Sequence, residues 1–147
     1  MAVNVTVSTE RACLDIEAIH AFLAGSYWAA GISRERVEKS LDASLCFGMF
    51  AGGKQIGFAR VVTDRATFAY LCDVYVDEAQ RGHGLGKRLL AAVRAHPDLR
   101  DLRRFILWTR DAHGLYEQFG FARLGDQPGL MGAVLPFGYA NEKGTPP

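Results

Sequence analysis

The chain has 147 residues with a formal net charge of +1, and 49% of its residues are hydrophobic. This length and composition are typical of one globular domain that buries its own core, and they exclude an intrinsically disordered chain. A net charge near zero gives no global electrostatic basis for binding nucleic acid or an anionic membrane, so any anion site must be local.

The cysteines indicate a reducing compartment and no metal site. Cys13, Cys46 and Cys72 stand far apart in apolar surroundings and show none of the spacings that bind zinc. We therefore expect three reduced thiols in the core and no bound metal. The sequence lacks a basic stretch followed by an apolar leader, and no apolar run reaches the length of a membrane span, so a cytoplasmic protein without membrane contact is expected.

The first half of the chain predicts one strand, two helices and a run of three strands. Ser33 is a plausible N-cap for the second helix, and Gly52-Gly53 is typical of a two-residue hairpin turn. The predicted elements are a strand over 3–7, a helix over 14–23 that Gly25 ends, a helix after Ser33 that carries Val37 and Leu41, and strands over 45–51, 55–63 and 66–77.

The second half predicts helices and strands in alternation and then a strand pair. The predicted elements are a helix from Leu85 that Pro97 stops, an apolar strand over 104–109, a helix over 112–119 closed by Gly120, and strands over 121–124 and 130–135. The order β-α-α-β-β-β-α-β-α-β-β predicts an α/β fold, with a mixed, mostly antiparallel sheet and helices on both faces. We expect one domain over residues 1–140 and a flexible C-terminal tail over 141–147.

A glycine turn over residues 80–87, with the sequence Gln-Arg-Gly-His-Gly-Leu-Gly-Lys, joins the longest strand to the helix that begins near Leu85. Three glycines at alternate positions let the backbone approach another molecule closely and adopt positive φ. The helix that follows offers unpaired N–H groups and a partial positive charge, so a phosphate is the expected occupant. The turn matches neither a Walker A loop nor the dinucleotide fingerprint, because Arg81, Lys87 and Arg88 stand where those motifs need other residues.

These elements and two motifs resemble the GNAT superfamily of N-acetyltransferases. Arg81 to Gly86 matches the family's Q/R-x-x-G-x-G/A pyrophosphate loop, and Tyr116 to Phe121 matches its Y-x-x-x-G-F pattern after the next strand. The resemblance covers roughly residues 45–124. It implies an acyl-CoA N-acyltransferase fold in which the parallel strands 68–76 and 104–109 splay apart at the centre of the sheet.

The resemblance also implies acetyl-CoA as a cosubstrate that is held mainly by backbone groups. The splayed strands would leave N–H and C=O groups that the pantetheine amides can pair. A backbone N–H in this stretch would stabilise the oxyanion formed when a nucleophile attacks the thioester. The implied cofactor-binding residues are Val74, Tyr75 and Val76 for the arm, and Arg81, Gly82, His83, Gly84, Leu85, Gly86 and Lys87 for the pyrophosphate.

Tyr116 stands where the family often has a general acid for the departing thiolate; without the motif it would be interpreted as a core tyrosine. The base that takes the proton of the amine stays open between Asp73, His113 and a chain of waters. His113 begins the helix that carries Tyr116. Asp73 lies inside the most apolar strand, on the side of Leu71 and Tyr75, and a buried carboxylate must be either paired or functional.

Four residues are candidates for binding the acceptor. Tyr27 and Trp28 lie in the loop between the first two helices, where they could line a pocket, although at least one is expected to fill the core. Arg60 is either a substrate residue or the partner of Asp73. Asp64 either holds a substrate amine or only makes the turn after Thr63.

The implied function is transfer of an acetyl group to a primary amine, on a small molecule or as an exposed amino group, within a ternary complex. The alternative is a module that binds acyl-CoA without turnover. No nucleic-acid partner is expected. The apolar stretch Leu130 to Leu135 could supply the edge of a homodimer.

Overall fold

The computed structural model describes residues 4–134 together with 138 and 139. Asp15 and Ser33 cap the first two helices, because their side chains accept the N–H groups of Ala18 and Arg36. The helices and strands are β1 (Val5–Ser8), α1 (Ile16–Ala24), α2 (Arg34–Asp42), β2 (Leu45–Ala51), β3 (Lys54–Thr63), β4 (Phe68–Val76), α3 (Leu85–Ala95), β5 (Arg104–Leu107) and α4 (His113–Glu117).

The described strands form one five-stranded mixed sheet in the order β1-β2-β3-β4-β5. Neighbours from β1 to β4 are antiparallel, and β4 and β5 run parallel. The Gly52-Gly53 turn joins β2 to β3 with positive φ at both residues, 57° and 80°, as a tight hairpin requires. The predicted α/β fold with a mostly antiparallel sheet is therefore confirmed.

Helices cover both faces of the sheet, as predicted. On one face, α1 and α2 enclose a core that includes Phe58 and Tyr75. On the opposite face, α3 encloses a larger core that includes Phe47, Leu71 and Leu89. The two faces are called here the α1/α2 face and the α3 face.

β4 carries a β-bulge at Asp73. Its register with β3 passes from Arg60 opposite Cys72 to Phe58 opposite Tyr75, so one residue of β3 lies opposite two of β4. The backbone at Asp73 takes a φ of 54°, a left-handed conformation that is costly for a residue with a side chain. The surrounding contacts must therefore hold this residue in place.

The bulge reverses the direction in which the later residues of β4 point. Leu71 packs on the α3 face, whereas Tyr75 packs on the α1/α2 face. The expectation that Asp73 shares one side of the strand with both residues is wrong, because simple alternation does not allow for an inserted residue. The same reversal places Val76 on the α3 face, next to the start of α3.

Asp73 is held at the bulge by two partners. Arg60 Nε lies 2.8 Å from Oδ2, and the side chains of Arg60 and Asp73 are only 18% and 9% exposed. Trp28 Nε1 donates a hydrogen bond of 2.9 Å to Oδ1. Of the two interpretations of Arg60, the structure therefore shows the ion-pair partner of Asp73.

The predicted strand pair near the C-terminus is wrong for the described residues. Residues 121–134 contain no strand, so β5 is the edge of the described sheet and the parallel pair is not central in it. Two short apolar runs separated by Gly125 and Pro128-Gly129 form too few ladder bonds to persist as an isolated pair. Leu135 lies outside the described residues, as do Val3 and the predicted tail 141–147.

The cysteines are only partly in the core. Burial raises the pKa of the Cys46 thiol to about 11 and that of Cys72 to about 12. Cys13 is exposed, which contradicts the expectation of a third core thiol. In the part of the chain that the structure describes, no group of three or more side chains could hold a metal, and no helix has the length and apolarity needed to cross a membrane.

We expect Arg60→Met to lower the free energy of unfolding by about 3 kcal/mol, because it leaves the carboxylate of Asp73 largely buried without its cation. Arg65→Met is the matched control. Arg65 and Asp98 form a 2.7 Å pair with side chains 49% and 41% exposed, and its loss should cost less than about 1 kcal/mol. Urea unfolding at neutral pH measures both variants. Equal losses would show that the buried pair does not hold the bulge.

Candidate active site

A cavity of about 240 Å³ lies where β4 ends and α3 begins. The end of β4, the glycine turn and the first turn of α3 form its walls, and Leu115 of α4 closes one side. Seven of the ten predicted cofactor residues line it: Val76, Arg81, Gly82, Gly84, Leu85, Gly86 and Lys87.

The glycine turn gives this cavity a backbone lining. Gly82 and Gly84 have φ values of 84° and 72°, in the region that favours glycine. Gly84 is the N-cap residue of α3 and makes no side-chain capping bond; the first turn closes with the N–H of Arg88 on the Gly84 carbonyl. The preceding N–H groups of α3 are thus left for a ligand, at the positive end of the helix dipole.

Arg81 and His83 take different positions at this turn. Arg81 Nε donates to the carbonyl of Val76 at 3.1 Å, and its own N–H donates to Glu78, so this residue ties the turn to the end of β4. His83 is exposed, lies outside the lining of the cavity, and has Nδ1 3.2 Å from the carbonyl of Gln80. The side chain of His83 therefore lies outside the cavity, although its backbone belongs to the same turn as Gly82 and Gly84.

The parallel strands separate beside this cavity. β4 and β5 pair from Phe68 opposite Arg104 only as far as Leu71 opposite Leu107. The rest of β4 pairs with β3 on one edge and has no strand on the other within the described residues. This leaves one row of backbone groups along the end of β4 open to a ligand that can pair like a strand.

Two of the predicted arm-binding residues contribute backbone rather than side chain. Tyr75 is buried, and its ring stacks on Phe22 at 3.9 Å with an interplanar angle of 12°. Burial raises the pKa of the Tyr75 phenol, which therefore stays neutral. Val74 packs against the core on the α3 face. At both residues, only the main chain is available along the open edge.

The short helix α4 presents Tyr116 and ends in a Schellman motif. The N–H of Phe121 donates to the carbonyl of Tyr116, and the N–H of Gly120 donates to Glu117. Gly120 has a φ of 89°, as the C′ position of this motif requires. The spacing Y-x-x-x-G-F therefore has a physical reason, since the motif brings the Phe121 ring next to the Tyr116 ring, with 6.1 Å between the ring centroids.

The environment of Tyr116 keeps its phenol protonated. Burial raises the pKa of Tyr116 to about 12, and the neighbouring Tyr27 adds to the shift. Such a group holds its proton at neutral pH. His113 lies half-buried one helical turn earlier in α4.

Aromatic side chains surround the α1/α2 side of this region. Trp28 and Tyr27 contact each other edge to face at 5.1 Å, and both are partly exposed, so the expectation that one of them fills the core is wrong. The bulge accounts for this, because it turns Asp73 towards the loop and the Trp28 indole donates to it. Arg110 lies over the ring of Tyr27, with 3.8 Å from its Cζ to the ring centroid.

Sequence analysis missed Trp108 and Arg110. Trp108 contacts Tyr70 edge to face at 5.9 Å. Trp108 directly follows β5 and Arg110 comes two residues later, at the carboxyl end of this strand. Ligands commonly bind at the carboxyl ends of parallel strands. Their position after a predicted parallel strand was therefore the sequence signal that could have identified them.

Asp64 lies in the turn before β4, at the opposite end of this strand from the cavity. Its carboxylate accepts hydrogen bonds from the N–H groups of Ala66, Thr67 and Phe68 and from the Thr67 hydroxyl. These bonds, led by the one from the Thr67 hydroxyl, lower the pKa of Asp64. Of its two interpretations, the bonding pattern is that of a residue that makes the turn.

Comparison with known proteins identifies the family. Residues 15–121 match the sequence profile of the Acetyltransferase (GNAT) family, which is more than half of the chain. The chain belongs to the GNAT family of acetyltransferases. A candidate acetyltransferase of Gibberella zeae is 29% identical over 153 aligned positions, covering 88% of this chain and 85% of that protein.

Solved structures have the same fold. A candidate GNAT acetyltransferase from Xanthomonas campestris is 48% identical with a TM-score of 0.90, and the match covers 93% of this chain and 97% of that one. A Mycobacterium tuberculosis protein crystallised in complex with CoA is 20% identical with a TM-score of 0.65, over 84% of this chain and 75% of that one. The second match supports the fold alone.

We expect Gly120→Ala to lower the free energy of unfolding by about 1–2 kcal/mol, because alanine is strained at a φ of 89°. Gly114→Ala in the same helix is the control. Its added Cβ meets no atom within 4 Å, so better helix propensity should stabilise the protein by up to about 1 kcal/mol. Urea unfolding midpoints measure both. Shifts in the same direction would contradict the Schellman assignment.

Proposed function

We propose that the protein transfers an acetyl group from acetyl-CoA to a primary amine, on a small molecule or as an exposed amino group, by direct attack in a ternary complex. One observation carries the proposal. The uncapped start of α3 and the open edge of β4 meet at one cavity, which Leu115 of α4 also lines. Tyr116 is the next residue of that helix.

The residues present fit this cosubstrate. A diphosphate needs several N–H donors at close range, and the glycine turn offers them without Cβ atoms in the way. Lys87 lines the same cavity and adds a positive charge. The open edge of β4 suits an arm that carries two amide groups, and the bound thioester would supply an activated acetyl carbon.

Backbone donors stabilise the charge that forms during transfer. When an amine attacks the acetyl carbon, the carbonyl oxygen becomes negative. An N–H along the open edge over residues 74–76 donates to this oxygen, and the donor is already in place because β3 and the bulge hold the strand. Such a donor contributes most in the transition state.

Tyr116 protonates the departing thiolate. Its phenol is neutral at the pH of an assay, because burial raises its pKa to about 12. An ordinary thiol pKa is about 8.5, below that of Tyr116, so a free thiolate would not take the proton from this phenol. The proton passes to the sulfur only as the bond to the acetyl carbon breaks, and the second proton that the attacking nitrogen gives up returns to the phenol oxygen. The sign of the pKa shift means that kcat should not fall through ionisation of Tyr116 until the pH approaches about 12.

Asp73 is a positioning residue in this proposal. Each of its oxygens already accepts a hydrogen bond, one from Arg60 and one from Trp28. Taking a proton from the substrate would neutralise the carboxylate and so remove the ion pair with Arg60 at the bulge. His113 and a chain of waters remain as acceptors of the proton, and a loss of kcat/KM in His113→Gln would select the histidine.

The second candidate function is a module that binds acyl-CoA without turnover. The pairing of Asp73 favours it, because this removes one candidate base from the cluster. Calorimetry with acetyl-CoA, followed by thiol release in the presence of a panel of amines, separates the two functions. No binding at high micromolar acetyl-CoA would refute both. Binding without release above the rate of hydrolysis would leave only the module.

We expect Tyr116→Phe to lower kcat about a hundredfold, since it removes the donor to the thiolate, while the Kd for acetyl-CoA changes by less than about twofold. Tyr139→Phe is the matched control. The Tyr139 ring lies against Arg36 of α2, outside the cavity, and its loss should leave kcat within about twofold. Steady-state kinetics and calorimetry measure the two quantities. An unchanged kcat in Tyr116→Phe would exclude Tyr116 as the acid.

We also propose that the protein forms a homodimer through the segment 124–134 and the edge of β5. Met131 and Val134 are 91% and 90% exposed, and β5 pairs on one edge only among the described residues. Each chain would thus offer an apolar segment and an open edge to its copy. Sedimentation equilibrium should give twice the mass of one chain, and Met131→Asp should shift it towards the monomer. A monomer at micromolar concentration would refute this proposal.

A further inference from the structure

Charged groups surround two aromatic pairs, Tyr27 with Trp28 and Tyr70 with Trp108, which are together called here the aromatic cluster. Two arginines and one aspartate contact its rings or their partners. The carboxylate of Asp73 and the guanidinium of Arg60 neutralise each other at 2.8 Å. The positive charge of Arg110 has only the carboxylate of Asp111 near it, at 3.9 Å.

Arg110 is only loosely paired within the described residues. Its Nη2 lies 3.9 Å from a carboxylate oxygen of Asp111, the next residue in the chain, and the two side chains are 65% and 71% exposed. An exposed pair of this length contributes almost nothing to stability. The guanidinium can therefore accept another anion at little cost.

The ring of Tyr27 connects Arg110 to the loop after α1 and, through Trp28, to the bulge in β4. The guanidinium lies 3.8 Å over that ring, and Tyr27 contacts Trp28, which in turn binds the bulge at Asp73. Tyr27 also lies close enough to Tyr116 to raise its pKa. The two residues thus connect Arg110 to both the proposed acid and the strand that holds the acetyl group.

A guanidinium that rests on an aromatic ring keeps the N–H groups at its rim free for planar hydrogen bonds. Two parallel bonds to a carboxylate or a phosphate match this geometry. Trp28, which contacts Tyr27, and Trp108, two residues before Arg110 in the chain, have exposed rings that offer apolar area for the carbon skeleton of a ligand.

We propose that Arg110, held on the Tyr27 ring, binds an anionic group of the acceptor, so that the preferred acceptors are small amines that also carry a carboxylate or a phosphate. This inference rests on the proposed function, and it makes Arg110 and Tyr27 determinants of specificity for the amine. A carboxylate and a phosphate can make the same planar contact with the guanidinium. The test therefore includes, for each of these anions, an anionic amine and its neutral counterpart.

The test compares acceptors that differ only in the anion. Phenylalanine with phenethylamine, leucine with isoamylamine, and phosphoethanolamine with ethanolamine are assayed for transfer with saturating acetyl-CoA. At least one anionic amine should have a kcat/KM about tenfold or more above its neutral counterpart, mainly through KM. In Arg110→Gln this ratio should fall about tenfold or more, and Arg110→Lys should restore part of it.

Arg103→Gln serves as the control, because Arg103 is exposed before β5 at the opposite end of the strand; its ratio should equal that of the native protein. A native ratio near one for all three pairs, or an equal ratio in Arg110→Gln, would overturn the inference.

Calorimetric titration of the same amines into the CoA-bound protein separates this inference from the proposed function. Tighter binding of an anionic amine that Arg110→Gln abolishes would support the anion site even without transfer, in which case only the proposed transfer fails. Equal binding of both members of every pair would overturn the anion site, whatever the rate of transfer.

Discussion

The ion pair between Arg60 and Asp73 is the interaction on which the rest of the site depends. It holds a left-handed residue inside β4, where φ is 54°. A carboxylate with 9% of its side chain exposed requires a cation, and the cation lies on the neighbouring strand. The Trp28 indole adds a bond to the other oxygen and connects the α1–α2 loop to the same point.

The bulge at Asp73 has two consequences for the site. It reverses the side-chain pattern of β4, so Val76 reaches the α3 face beside the start of α3 and Tyr75 turns under α1. The pairing between β4 and β5 also ends just before the bulge, at Leu71. The open edge and the glycine turn are then parts of one cavity, because the same strand leads directly from one to the other.

The two ends of the site differ in the chemistry of their walls. At the glycine turn the wall is mainly backbone, so it can hold any ligand that carries a diphosphate and an amide arm. At the aromatic cluster the wall consists of side chains, among which Arg110 carries a charge that the loose contact to Asp111 leaves available. In the proposed function, proteins of this fold would share the first end, and the residues of the second end would select the acceptor.

The sequence determined those features that depend on local chemistry. Positive φ at Gly82 and Gly84, the cap at Ser33, the hairpin at Gly52-Gly53 and the helix end at Gly120 each follow from what these residue types permit. The family resemblance rested on the same motifs, and the order of elements through α4 was predicted correctly. Each of these features is formed by residues that are only a few positions apart in the chain, so no distant contact was needed to recognise it.

The tertiary structure decided what depends on contacts between distant residues. Strict alternation placed Asp73 beside Leu71 and Tyr75, and only the register with β3 shows the inserted residue that separates them. The strands predicted over 121–124 and 130–135 have no pairing edge within residues 121–134, since apolar alternation specifies a strand only when a partner edge is present. Arg110 stands among ordinary surface residues in the chain, and its place on the Tyr27 ring arises because the fold brings the end of β5 to the loop after α1.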